Sequence, residues 1–576
     1  MKSIHKTTFF LIAITFLAFI LRWADVNSAA LWIDELYCFD IASKTSILEI
    51  LKTVFHTDLH APLFFIILHF WIKLVGTSDN ALILLPVLFS TLSVPVGYFL
   101  SKKIFNEKTA VIFSIFNTIN ALEIYYAQEL KFYSLLPILG LISVYCFLKI
   151  VQEFDIKNAI YLFLANTIIV YTFNAGVFFV AAEFIVGLAY LLAKKDKKFK
   201  NYLYSFVATT IFYLPYCYFQ IKTMLSVNNG LCSLFDIFHF DMGFVFSLIQ
   251  NFLTPALVNI SNNSINYNQL VFIKENGLAP FILYVLIFLI LSLYAIYLSL
   301  KEKSEKSILI ISLSVLFITI LITLANLHVI PLVTRYTVLV HLNILLVIAF
   351  GLSKVTHQKL LQVSIFSVIV ISLFSFLFYK DSAIKRQSSF HYYSAEALMK
   401  AKADKNDLVI MPYFGRFLYK YFDKSQLIDY RAEELLMNSD AFLMKETFNY
   451  TDKEYSQKDK SGMLMQQYVE QTKAPKDLEK YFTENYISKL KKGQRIFLIE
   501  NYNMYIIPDN LYVPMISNLN IDKKNLNELE KNAKYAILYT KILRNIEEIL
   551  SQHLTLKGVY QSELQDVKIF EFVFKK

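Results

Sequence analysis

The chain has 576 residues, 56% of them hydrophobic, with a formal net charge of +10 and a mean hydropathy of +0.46. Soluble globular chains are about 45–50% apolar, so this composition excludes an ordinary soluble domain and points to a polytopic membrane protein. Much of the positive excess is lysine in short segments between apolar runs, which sets membrane orientation and is not the footprint of a nucleic-acid binder.

Lys2 and Lys6 precede the first apolar segment, residues 8–28, and assign the N-terminus to the inside. Asn27-Ser-Ala-Ala30 gives this segment the outline of a secretory signal. Arg22, Trp23 and Asp25 sit awkwardly before a cleavage site, and an uncleaved first span is the preferred reading. Leu31-Trp-Ile-Asp-Glu-Leu-Tyr37 then puts two adjacent carboxylates, Asp34 and Glu35, at the membrane surface. Ionisable groups are costly there and usually functional, although an acidic pair also suits the N-terminus of an interfacial helix. Pro62–Val75 follows, about 14 residues carrying His69 and Lys73. That is short for a span and fits an interfacial or re-entrant segment.

The remaining apolar runs alternate between lysine-rich and lysine-poor ends. Leu82–Leu100 runs inward to Lys102, Lys103 and Lys108, Ala110–Tyr125 outward, and Ser134–Ile150 inward. Asn158–Phe173 runs outward, and Val177–Leu192 returns to Lys194–Lys200, the strongest inside signal in the chain. Tyr202–Tyr218 leads to a long outer segment with an apolar piece, Phe244–Leu257. Pro280–Leu300, Ile308–Leu327, Tyr336–Leu352 and Leu361–Tyr379 complete about eleven transmembrane helices.

The predicted organisation is a membrane domain over 1–379, with outer loops 29–80, 126–133 and 219–279, and a soluble extracytoplasmic α/β domain over 380–576. In the latter, Asp407–Met411 and Arg495–Ile499 read as buried strands, and Leu556–Tyr560 and Val567–Val573 as a strand pair. Cys38, Cys146, Cys217 and Cys232 lack metal-site spacing, and no Walker-type loop, GxGxxG or HExxH is present.

On this topology Asp34, Glu35, His60, Gln128, Glu129, Lys131 and Arg335 all fall at the outer face. Moving a sugar from a phosphate-linked donor to a hydroxyl needs a carboxylate to take the proton and cations to hold the phosphate. Asp34 or Glu35 can be the base. Lys131 and Arg335 can hold phosphate, with arginine suited to bidentate contact. Each residue also has a plainer reading. Glu129 and Lys131 fit a solvated turn, Arg335 a snorkelling helix end, and His60 a structural donor. His56, Asp58 and His60 alternate as a weak metal pattern.

Asp-Glu after the first span, then His60-Ala-Pro-Leu63 before a short apolar segment with Trp71 and Gly76, Gln128-Glu129 with Tyr133 in the second outer loop, and Arg335-Tyr336 opening a late span together resemble the GT-C membrane glycosyltransferases. The similarity is greatest to the protein O-mannosyltransferase and aminoarabinose-transferase group, over roughly residues 1–220, and is weak across 380–576. The resemblance implies an inverting hexosyl- or pentosyltransferase of the plasma (inner) membrane that uses a polyprenyl-phosphate sugar donor. The acceptor would be protein, lipid or glycan, with membrane lipids as neighbours and no nucleic-acid partner. Asp34 would be the base and Glu35 an acceptor contact, making these two the catalytic pair. Glu129, Lys131, Arg335, Tyr336 and His60 would bind donor and phosphate, and Glu35, Gln128 and Tyr133 the acceptor.

No metal ligand is assigned and no cofactor is certain; a divalent cation stays an open alternative. Two departures bear on that point. Lys131 stands where relatives often carry arginine, and Phe173-Asn174 where a histidine often follows Tyr-Thr. The alternative function is a transporter or flippase of a lipid-linked glycan, which is expected to bury charges near the bilayer midplane.

Overall fold

The computed structural model describes residues 2–237, 278–327, 334–369, 407–410, 476–501, 546–561 and 567–574, apart from short gaps at 25, 27–30, 32, 58–59, 154, 197–198, 331–333, 358, 360, 364 and 367–368. The chain divides into two compact units, Met1–Ser28 with Cys38–Ala383 and Ala29–Tyr37 with Ile384–Lys576.

The first unit is helical. Its chain order is α1 (Lys2–Trp23), the end of α2 (Ile33–Ala42), α3 (Ile47–Thr57), α4 (Leu63–Val75), α5 (Asp79–Ile104), α6 (Glu107–Ile119), α7 (Ala121–Ala127), α8 (Leu136–Gln152), α9 (Ile156–Thr172), α10 (Gly176–Ala193) and α11 (Phe199–Ile237). Helices Leu278–Lys301, Glu305–Asn326 and His341–Ser353 follow. Side-chain caps fix several starts: Ser78 accepts from Ala81 N–H, Asn106 from Thr109 N–H and Ser304 from Ser307 N–H.

Among the described residues, six helical segments are long and apolar enough to cross a membrane, with shorter apolar helices at Leu63–Val75, Ile156–Thr172 and Ile290–Lys301. The protein is therefore a polytopic α-helical membrane protein. Each apolar run predicted from residue 8 to 352 carries a helix, while most of the run Leu361–Tyr379 and most of the outer segment 219–279 lie outside the described residues.

Burial separates central from peripheral helices. The windows Phe132–Gln152 and Arg335–Ser353 are 83% and 89% buried, against 17% for Lys6–Trp23. Phe9, Ile12 and Phe16 on α1 and Ile211 and Phe212 on α11 are exposed, as apolar side chains facing lipid tails should be. A Cβ at Gly140 would collide with the backbone oxygen of Leu339. Glycine there lets α8 approach the segment 334–340, which carries Arg335.

One predicted span differs in form. Ala110–Tyr125 is not a single helix: α6 ends at Ile119, and Asn120 caps a new helix, its Oδ1 accepting from Leu122 N–H and Glu123 N–H at 2.9 and 3.2 Å. Asparagine readily bonds the backbone of the next turn and so competes with continuing the helix.

In the second unit a mixed four-stranded sheet has the order β1-β2-β4-β3, with β1 (Leu408–Ile410), β2 (Arg495–Asn501), β3 (Thr555–Gln561) and β4 (Val567–Val573). β1 runs parallel to β2, and the other pairs are antiparallel. Alternation sends Ile496, Leu498, Phe570 and Phe572 to a core shared with Phe482, Ile549 and Leu550. On the other face Arg495 bridges Asp407 and Glu571 at 2.6 and 3.3 Å. The strands are those expected from the sequence, and the C-terminal part is an α/β domain.

Candidate active site

The site is built on two non-helical breaks in the helical unit. The first follows α7. Gln128 caps that helix and its amide donates to the carbonyls of Arg22 and Ala24 at 3.1 and 2.8 Å, tying the second loop to the end of α1. The loop then tightens, with Lys131 N–H donating to Glu129 O at 2.7 Å, and Phe132–Ser134 form a 3-10 turn leading into α8. Glu129 and Lys131 are both buried, at 5% and 1% exposure, so this loop is not a solvated turn. Charged side chains are rarely this enclosed without a partner.

The second break is the 3-10 segment Thr334–Val340, which carries Arg335 and Tyr336. The Arg335 guanidinium lies 5.7 Å from the centre of the Tyr133 ring, within cation–π range. An aromatic chain joins the two breaks. Tyr126 and Tyr133 are 5.2 Å apart, Phe132 and Tyr133 4.7 Å, Phe132 and Phe173 5.6 Å, and Phe173 and Tyr336 5.4 Å between ring centres. The His60 ring stands 5.9 Å from Phe132. Burial pushes the Tyr126 phenol well above its ordinary range, the Glu129 carboxylate raises it further, and Arg335 opposes both.

Within the first unit, Tyr133 and Arg335 meet, and Phe132 and Phe173 join them to His60 and Tyr336, although these residues come from distant stretches of chain; Glu129 is buried in the same loop as Tyr133. Gln128 is adjacent in sequence, with its amide engaged on α1. Phe173 belongs to the aromatic chain, and Asn174 accepts from Tyr216 OH, at 2.8 Å from it, the same hydroxyl standing 3.0 Å from His60 O. Asp34 and Glu35 begin α2, in the segment Ala29–Tyr37 that groups with the second unit. Glu35 is buried, and the Asp34 side chain is outside the described residues. Among the described residues, no three His, Cys, Asp or Glu side chains are grouped so as to hold a metal ion.

Four residues absent from the sequence-based site, Arg22, Ser90, Glu123 and His341, form a connected chain beside it. Arg22 is fully buried, and its Nε donates to Ser90 Oγ at 2.7 Å. Ser90 Oγ lies 3.1 Å from Glu123 O, and Glu123 Oε1 meets His341 Nδ1 at 3.0 Å. A charge or a histidine inside an apolar run was the available signal; Glu123 and His341 both fall inside predicted spans.

The helical unit and the C-terminal α/β domain share the GT-C fold of solved membrane glycosyltransferases. The solved structures that share it include ArnT, an aminoarabinose transferase, from Cupriavidus metallidurans bound to undecaprenyl phosphate, at TM-score 0.51 and 11% identity over 98% of both chains. The apo form of that protein matches at TM-score 0.50 and 10% identity, over 89% of this chain and 96% of that one. The Archaeoglobus fulgidus oligosaccharyltransferase in complex with Zn and sulfate matches at TM-score 0.46 and 13% identity, over 98% of this chain and 88% of that one. No family model and no curated protein matches the sequence.

Proposed function

We propose that this protein is a membrane glycosyltransferase that moves a sugar from a polyprenyl-phosphate donor to an acceptor hydroxyl at the outer face of the membrane. The observation that carries the proposal is the meeting of Arg335 with Tyr133 at two helical breaks, beside an aromatic wall in which Phe132 joins Tyr133 to the His60 ring. A partly exposed guanidinium in such a setting suits a phosphate anchored at bilayer depth by an isoprenoid tail. The ArnT of the same fold was crystallised with undecaprenyl phosphate, which supports this class of donor.

In the reaction, the acceptor oxygen attacks the anomeric carbon and the bond from that carbon to the phosphate oxygen breaks. Polyprenyl phosphate leaves with the electron pair, and the acceptor proton passes to a carboxylate. Attack opposite the leaving group inverts the anomeric centre. Asp34 is the base on this reading and Glu35 an acceptor contact, both assigned from sequence. Arg335 and Lys131 offset the charge that grows on the phosphate, and Glu129, His60 and Tyr336 line the donor pocket. Gln128 and Tyr133 lie next to the acceptor path. A divalent cation, where present, would add charge at the phosphate; no step above depends on one. The C-terminal α/β domain, 380–576, is assigned to the outer side with the loops, and the N-terminus to the cytoplasm.

The test is transfer in membranes containing the protein and labelled polyprenyl-phosphate hexoses and pentoses. Label should reach an acceptor with wild type and not with Asp34→Asn, which keeps side-chain volume but removes the proton acceptor. Equal transfer by both would reject Asp34 as the base. Label that crosses the bilayer with its glycosyl–phosphate bond intact would replace the enzyme with a transporter.

A further inference from the structure

The buried pair Glu123–His341 joins the two breaks from behind. His341 is the first residue of the helix His341–Ser353 and directly follows the segment Thr334–Val340 that carries Arg335. Glu123 lies in α7, which ends one residue before Gln128. Both side chains are at most 2% exposed. The contact of 3.0 Å between them therefore spans 218 residues of sequence and ties the second-loop turn to the arginine turn.

The Glu123 carboxylate is held from two sides. Asn120 caps α7 and fixes the Glu123 backbone. Ser90 Oγ receives the Arg22 Nε hydrogen and stands 3.1 Å from Glu123 O and 3.4 Å from Glu123 Oε2. The other Arg22 nitrogens donate to Ala18 O, Thr118 O and Asn117. The carbonyl of the same Arg22 accepts from Gln128. Gln128 in the second loop, and Glu123 just before it through Ser90, thus both return to one buried arginine. With Arg22 balancing the carboxylate, the imidazole donates through Nδ1–H to Oε1, which fixes its tautomer and ring plane.

We propose that Glu123 and His341 are positioning residues that hold Arg335 in register with the second outer loop, so that the phosphate of the donor meets a preset guanidinium. The inference rests on the donor reading given under Proposed function. Neither residue touches the donor; they act through the turns at either end. Side chains that fix a binding group without touching ligand lower the cost of ordering it on binding.

Equilibrium binding of undecaprenyl phosphate alone, to the full chain in nanodiscs, tests this without turnover. His341→Phe fills the space but cannot donate. It should weaken binding about tenfold, the loss of roughly 1.4 kcal/mol, while His341→Asn, which keeps a donor, should recover a large part. In an Arg335→Ala background, His341→Phe should cost little more, because the two act on one interaction. Elution volume and thermal midpoint report folding; if His341→Phe aggregates, Glu123→Gln enters the same cycle in its place. Undiminished binding by His341→Phe, or an equal loss with and without Arg335, overturns the inference alone. No binding by wild type overturns the donor reading and the inference with it.

Discussion

Two buried polar clusters sit in the helical unit, and they are built to different ends. Arg22, Ser90, Asn117, Glu123 and His341 link α1, α5, α6, α7 and the helix His341–Ser353, and the cluster lies directly behind the two breaks. Ser143, Asn166, Glu183 and Tyr202 link α8 to α11: Ser143 Oγ lies 2.7 Å from both Glu183 Oε1 and Asn166 Oδ1, and Tyr202 OH donates to Glu183 O at 2.6 Å. The first cluster joins a guanidinium and a carboxylate through one serine hydroxyl and borders turns. The second contains a carboxyl and neutral partners and lies among continuous helices. On the proposal made above, the charged cluster beside the broken helices positions the site, and the cluster between whole helices serves packing.

The largest expected difference between the regions comes from Arg335→Ala. Removing one preorganised cation from a phosphate site costs about 100-fold in transfer, measured as initial rate at fixed labelled donor. Glu123→Leu is next. It leaves the buried His341 Nδ1 without its carboxylate partner, a loss of about 1–3 kcal/mol, read as a lower thermal midpoint together with reduced transfer. Glu183→Gln keeps shape and hydrogen bonding, so stability should change by about 1 kcal/mol and transfer should stay within about twofold by the same initial-rate assay. A larger loss of transfer than of stability there would erase the distinction between the clusters. Lys359→Ala, on an exposed helical turn remote in sequence from both breaks, should leave donor affinity unchanged.

The fold was readable because apolar runs and lysine-rich ends are local signals. α5, α8, α9 and α10 fall where hydropathy puts them, β2 where its short apolar run does, and β3 and β4 where alternation does. Hydropathy averages Ala110–Tyr125 into one span and so passes over the cap at Asn120, although Asn117, Asn120 and Glu123 interrupt the run. Of the candidate site, His60, Glu129, Tyr133, Arg335 and Tyr336 stood out as polar or aromatic residues interrupting apolar flanks. Arg22 stood out too, but only as an obstacle to signal cleavage, because its partners Ser90, Asn117 and Thr118 lie 68 to 96 residues away. Contacts across helices leave no mark in the local sequence. Gln128 shows the converse: it was chosen by motif position, and its amide is engaged in holding α1.

The most direct measurement is photocrosslinking of the protein in bilayers with a polyprenyl phosphate that carries a diazirine next to the phosphate, followed by peptide mapping. The account predicts adducts in residues 126–133 and 334–340, lost on competition with unlabelled polyprenyl phosphate. Competed adducts on α9 and α10 around Asn166 and Glu183, with none at the two breaks, would contradict it.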